Sequence, residues 1–330
     1  MAMSCYSSSK QQKRGSLNRE DEELISTLPR ERGWLSPYIY QFQGTWYPDS
    51  GLRGLLACRR HFEALSTDLF LVTTPKSGTT WLKALVFTIA NRKRCSYAQH
   101  QLLTASPHDL VSFVELGLYL NNQSPNLTSI PSPRLFATHM SFVSLPQSVR
   151  DSNCRIVYLC RNPRDTFVSL WFFKNKMTYK IQEPSPIEEE FEMFLSGKSI
   201  YGPFWDHVLG YWKESKRNPQ KVLFMHYEEM KREPELFTKK LAEFMGSPIS
   251  PEEEREGTLK EIIKLCSFKN LSSLAVNKTG RTKMGTDCNM FFRRGDVGDW
   301  INHLSPTMVE RLDQLLQEKL HASGLSFQYS

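Results

Sequence analysis

The 330-residue sequence contains no apolar run near the roughly 20 residues that a helix needs to cross a bilayer. The best candidate, residues 81–90, is broken by Lys83. The N-terminus lacks the apolar core of a secretory signal. Cysteines number seven, an odd count, and no two stand in a CxxC pair. That excludes a disulfide framework and a structural zinc site, and free thiols imply a reducing, cytoplasmic compartment. No Lys/Arg run exceeds a few residues, so a nucleic-acid partner is not expected. Beyond the first 20 residues there is no repeat and no low-complexity block. Matches to the glycosylation pattern, such as those at Asn126 and Asn277, have no signal peptide to give them meaning.

What is present is an ordinary globular composition, 40% hydrophobic and 23% charged. The formal charge is +7, from 42 basic and 35 acidic residues. Such an excess either aids solubility or attracts a polyanionic ligand. Residues 1–20 begin Ser-rich and basic, which suggests a disordered tail, with a transit peptide as the alternative. Residues 21–330 then form one domain.

Four short apolar runs read as buried strands: 69–73 (LFLVT), 134–138 (RLFAT), 155–160 (RIVYLC) and 221–226 (KVLFMH). Residues 79–90 carry Trp81, Leu82, Leu85, Val86 and Ile89 at helical spacing. A second helix runs on from Pro163 through Phe173. A third begins at Ser305-Pro306, with a stripe of Val309, Leu312, Leu315, Leu316 and Leu320 and Gly324 past its end. Alternating strands and helices point to an α/β domain with a central parallel sheet flanked by helices. Ligands bind such sheets beyond the carboxyl ends of the strands. Lys76, His139, Arg161 and Tyr227 all fall at those ends.

Between the first strand and the first helix stands Pro75-Lys76-Ser77-Gly78-Thr79-Thr80-Trp81. Unpaired N–H groups at a helix N-terminus bind phosphate oxygens, and Gly78 lets the backbone come close. Lys76, Thr79 and Thr80 add a charge and two hydroxyls. The order is not that of the Walker A loop, where Lys follows the last Gly.

PKSGTTW resembles the 5′-phosphosulfate loop of the cytosolic sulfotransferases, a P-loop-like α/β family. Residues 161–169 (RNPRDTFVS) resemble its 3′-phosphate segment, and residues 291–300 (FFRRGDVGDW) its C-terminal signature. The wording of LPRERGW, GPFWDH and LCSFKNL is most similar to plant members. The resemblance covers the chain from about residue 28 onward. It implies transfer of sulfonate from 3′-phosphoadenosine 5′-phosphosulfate (PAPS) to a hydroxyl of a small plant metabolite of the hydroxyjasmonate, flavonoid or brassinosteroid type. Carried over by position, Lys76, Ser77, Gly78, Thr79, Thr80 and Trp81 would hold the phosphosulfate, with Trp81 also stacking on adenine. Arg161, Ser169, Arg293, Arg294 and Gly295 would hold the 3′-phosphate. Tyr227, Phe268 and Phe292 would complete the nucleotide site, the first two against the adenine. His139 would be the catalytic base, and Lys76 would meet charge on the leaving phosphate. Phe113, Phe142 and residues 171–173 could line the acceptor pocket. His100, His108 and His207 read as structural or surface residues.

The chemistry agrees with these roles. Sulfuryl transfer is an in-line displacement governed by positioning and charge. Histidine suits proton abstraction near neutral pH, and no metal need be invoked. Ala137 stands where animal members often have Lys. Residues 301–306 lack the Lys, Thr and Val of the animal dimer motif, so a monomer or weak dimer is expected. Two rivals stay open: a nucleotide-binding kinase-like enzyme, and an inactive relative that binds PAPS or a hormone.

Overall fold

Side chains alternate across a β-strand, and here that alternation sorts the apolar residues into two cores. Phe70, Val72, Phe136, Ile156, Tyr158 and Val222 face one core. Leu69, Leu71, Ala137, Val157, Leu159 and Met225 face the other. These residues belong to a four-stranded parallel sheet in a computed structural model that describes residues 18–33, 35–179 and 183–329. Its strands are β4 (Leu69–Thr73), β5 (Leu135–Thr138), β6 (Arg155–Cys160) and β7 (Val222–His226), in the order β5-β4-β6-β7. The bounds meet the sequence-based expectation within one residue. Both faces are buried, which is why the strands read as continuous apolar runs.

A three-stranded antiparallel sheet precedes it: β1 (Arg30–Arg32), β2 (Tyr38–Phe42) and β3 (Thr45–Pro48). Gln43 and Gly44 both have positive φ, 51° and 80°, as a two-residue hairpin turn requires. The first helix, α1 (Arg19–Thr27), begins within the expected tail, so Arg19 and Glu20 are helical. The Asn18 side chain caps it, and Arg60 grips the buried Asp21. Residues 1–17 of that tail lie outside the described residues.

Helices α2 (Asp49–His61), α4 (Pro163–Thr178), α5 (Phe204–Arg217) and α7 (Pro306–Leu320) cover the first core. Helix α3 (Thr79–Asn91) covers the second, with Pro234–Phe244 and Thr258–Cys266. Ser305 caps α7 through the Met308 N–H, and Met308, Leu312, Leu316 and Leu320 are its buried stripe. A short helix, α6 (Tyr227–Arg232), follows β7 directly. Among the described residues, no helix is long and apolar enough to cross a membrane.

The N-terminal edge of the parallel sheet is locked by one buried ion pair. Arg134 Nε and Nη2 donate to the two Asp68 oxygens at 2.7 and 2.6 Å. Asp68 also accepts the Leu65 N–H at 2.8 Å, and Arg134 reaches the Glu63 carbonyl at 3.0 Å. Asp68 immediately precedes β4 and Arg134 precedes β5, so the pair sets their register. Removing one partner of a buried pair strands the other charge, at about 3–5 kcal/mol. Asp68→Ala is therefore expected to lower unfolding stability by about that amount, read from a urea titration.

Candidate active site

The chain leaves β4 at Thr73 and enters α3 at Thr79 through a loop with two left-handed residues. Lys76 has φ +70° and Gly78 has φ +99°. Lys76 carries a real backbone cost there, since non-glycine residues seldom adopt this region. At Gly78 a Cβ would fall 2.7 Å from the Tyr227 ring. Gly78, Thr79 and Thr80 make no backbone N–H hydrogen bond among the described residues, and these groups crown the start of α3. The three hydroxyls divide. Ser77 is fully buried and bonds Thr74 at 2.6 Å, and Thr79 bonds Thr73 at 2.7 Å. Both brace the loop from within. Only Thr80 is left at its partly open mouth.

His139 follows β5. Val72 pairs with Thr138 across the sheet, so Thr73 and His139 come side by side. His139 Nδ1 donates to the Thr73 carbonyl at 2.7 Å. A carbonyl only accepts, so the neutral ring keeps its lone pair on Nε2. Burial, with further opposition from Lys83 and Lys76, lowers the His139 pKa to about 3. The ring is thus unprotonated at neutral pH. Phe113 stands 4.7 Å from it.

Lys76 lies 4.2 Å over the Phe173 ring. Burial, then repulsion from Arg161, Arg293 and Lys176, brings its pKa down to about 7. Arg161, directly after β6, stacks 4.8 Å over Tyr227 and donates to the carbonyls of Asp296 (2.7 Å) and Lys76 (3.4 Å). It thereby ties the phosphate loop to the C-terminal segment. Arg293 and Arg294 both reach Asp299, at 2.5 and 2.7 Å. Among the described residues, the Nε atoms of Arg161 and Arg293 are buried without a hydrogen-bond partner. Buried guanidinium donors that lack partners suit an anion. Ser169 is buried on the second turn of α4.

Tyr227 joins the remaining parts. Its ring packs under Gly78, Trp81 meets it edge-on at 5.5 Å, and its hydroxyl donates to the Gly295 carbonyl at 2.8 Å. Gly295, at φ +72°, lies against Phe268, which meets Phe292 edge-on at 5.9 Å. Lys76, Gly78, Trp81, Arg161, Arg293, Tyr227, Phe268, Phe292 and Gly295 are therefore linked to one another beyond the carboxyl ends of the strands.

The sulfotransferase domain model matches residues 66–324. The chain belongs to the sulfotransferase family. It is 49% identical to cytosolic sulfotransferase 12 of Arabidopsis thaliana over 94% of this chain and 95% of that one. To cytosolic sulfotransferase 15 of the same plant it is 45% identical, over 95% and 89%. Among solved structures, a putative steroid sulphotransferase of Arabidopsis thaliana superposes with a TM-score of 0.75 at 44% identity, covering 95% of this chain and 99% of that one. A mouse sulfotransferase complexed with PAP gives a TM-score of 0.66 at 30% identity, covering 86% and 94%. The chain is a sulfotransferase enzyme on the expected α/β fold.

This sulfotransferase holds its histidine with residues that sequence reasoning passed over. The His139 N–H donates to Glu115 at 2.8 Å. His207 Nε2 donates to the His139 carbonyl at 2.9 Å, which leaves His207 Nδ1 to accept from the Tyr158 hydroxyl at 2.9 Å. Tyr201, at φ +60°, places its ring 5.2 Å from His139. The available signal was an ionisable residue inside an apolar run: Glu115 in VELGL, His207 in FWDHVLG. Two aromatic residues expected at the acceptor pocket have close partners of their own. Phe142 packs edge-on against Tyr211, and Phe172 lies under Arg293. Trp171 is tied through its indole N–H to the Ser185 carbonyl.

Burial lowers the His207 pKa to about 4, against roughly 6.5 in an unfolded chain. Between those values the unfolded chain binds a proton that the folded one does not, so stability falls as pH drops through the window. His139 acts in the same direction. Denaturant unfolding at pH 7 and pH 5 should show this loss. His207→Gln, which keeps a donor for the His139 carbonyl, should show a shallower one.

Proposed function

We propose that this sulfotransferase moves a sulfonate group from PAPS to the hydroxyl of a small, largely apolar plant metabolite of the hydroxyjasmonate, flavonoid or brassinosteroid type. The observation that carries the reading is the His139 Nδ1 bond to Thr73. It presents an unprotonated Nε2 beside the phosphate loop. The donor assignment is supported by the mouse relative solved with PAP and by the buried, partnerless Nε atoms of Arg161 and Arg293.

In this reading the acceptor hydroxyl gives its proton to His139 Nε2 as its oxygen bonds to sulfur. The bond from sulfur to the bridging phosphate oxygen breaks in line. Charge then builds on the leaving phosphate, where Lys76 and the free N–H groups of Gly78, Thr79 and Thr80 meet it. Arg161, Arg293, Arg294, Ser169 and Gly295 form the 3′-phosphate pocket. Trp81, Tyr227, Phe268 and Phe292 form the apolar nucleotide wall. Phe113 and Phe173 begin the acceptor pocket. The work takes place in the cytosol, as in the relatives named for it, with the protein a monomer or weak dimer and no metal required.

A PAPS-dependent screen of plant alcohols and phenols tests the reading. Wild type should form a sulfonated product. His139→Ala should lose about 10²–10⁴-fold in turnover while PAP binding stays nearly intact. Phosphotransfer from ATP and magnesium would support the kinase reading instead, and PAP binding without any turnover the inactive one.

The depressed Lys76 gives a second test. Anionic nucleotide favours its charged form, so above about pH 7 binding must take up a proton. PAP affinity should fall as pH rises beyond 7, by up to about tenfold per unit. Calorimetry at pH 8 in buffers of different ionisation enthalpy should report proton uptake, and Lys76→Met should abolish it.

A further inference from the structure

Lys83 is fully buried on α3, one turn beyond Thr80 and on the same face. Buried ammonium groups are rarely left without a partner. Among the described residues no carboxylate lies within ion-pair distance of Lys83. Its Nζ sits 3.5 Å over the Phe113 ring and 3.3 Å from His108 Nδ1. The other nitrogen of that ring, His108 Nε2, lies 2.9 Å from the Thr80 hydroxyl. His108 is clasped between Phe291 at 3.9 Å and Phe113 at 5.9 Å, so its ring plane is held.

The donors and acceptors in this row decide each other. Burial pushes the Lys83 pKa well down, with Glu115 and Asp109 opposing the shift. Charged or neutral, its amine has hydrogens to donate, and in this arrangement His108 Nδ1 accepts one. Burial keeps the ring neutral, with a single N–H, which then resides on Nε2. That N–H donates to the Thr80 oxygen. The Thr80 hydrogen is thereby turned away from His108 and toward the mouth of the loop. Thr80 is also the one hydroxyl of the loop that is not spent on bracing it.

We propose that Lys83 and His108 are positioning residues that fix Thr80 as a hydrogen-bond donor to the phosphosulfate of the donor nucleotide. This rests on the PAPS reading above. Lys83 touches no ligand itself. It acts through His108, and the row orients a hydroxyl donor at the point where negative charge gathers.

Two measurements on the full chain test it. Imidazole ¹⁵N spectra, with and without PAP, should show His108 protonated on Nε2. Kinetics with PAPS should show kcat/KM reduced by between about tenfold and about a hundredfold in Thr80→Val and in Lys83→Met. The double variant should lose no more than either alone, because both remove one interaction. His108→Gln offers an N–H in place of Nε2 and should retain most activity, whereas His108→Met should not. This pair keeps the test valid if Lys83→Met fails to fold. A ring protonated on Nδ1, additive losses, or equal activity of His108→Gln and His108→Met would overturn the proposal. If wild type neither binds PAP nor turns over PAPS, the donor reading fails, while the ¹⁵N spectra still judge the row of hydrogen bonds.

Discussion

The hydrogen bond from His139 Nδ1 to the Thr73 carbonyl is the joint on which the site turns. Thr73 is the last residue of β4, just before the loop that crowns α3. His139 is the first residue after β5. Parallel pairing sets these strand ends side by side, and the bond converts that adjacency into chemistry. It selects the tautomer, aims Nε2, and fixes the ring relative to the loop. Glu115 and His207 then hold the His139 peptide from its two sides. The Asp68–Arg134 pair at the opposite edge of the sheet protects the register from which the joint follows.

Around that joint the molecule gathers positive charge with little to balance it. Lys76 feels Arg161, Arg293 and Lys176, and His139 feels Lys76 and Lys83. Asp299 answers Arg293 and Arg294. Asp165 lies 3.6 Å from Arg161 Nη2 and also accepts the N–H groups of Gly298 and Trp300, and so fastens the C-terminal segment to the start of α4. The polyanionic donor proposed above would relieve the remaining imbalance, which would give the net charge of +7 a local meaning.

The parallel sheet was legible because both its faces are buried, which leaves unbroken runs such as LFLVT and RIVYLC. Lys76, His139, Arg161 and Tyr227 were legible because each closely follows such a run. The antiparallel sheet was not, since β1 is Arg-Glu-Arg and largely exposed. Its one clear sign was Gln43-Gly44 at a turn. Glu115, His207 and His108 act on partners at least 24 residues away in sequence, so local pattern could at most mark Glu115 and His207 as ionisable groups in apolar runs and could not show what they hold. Lys83 read as a break in an apolar stretch, yet it is buried, held by an aromatic face and a ring nitrogen. Phe142 and Phe172 were read from type alone, and in the fold they pack against Tyr211 and Arg293.

Tyr227 occupies space that Gly78 leaves open, and its hydroxyl holds Gly295, which in turn makes room for Phe268. These four positions form a chain of mutual clearances. A side chain at 78 would need a smaller residue at 227, besides bearing the strain of a left-handed φ, and that residue would release the carbonyl at 295. Sequence drift in this enzyme is therefore not free to sample such positions singly. Change at one of them carries a debt at the next, and the route to a differently shaped nucleotide site passes through several simultaneous substitutions rather than a ladder of single ones.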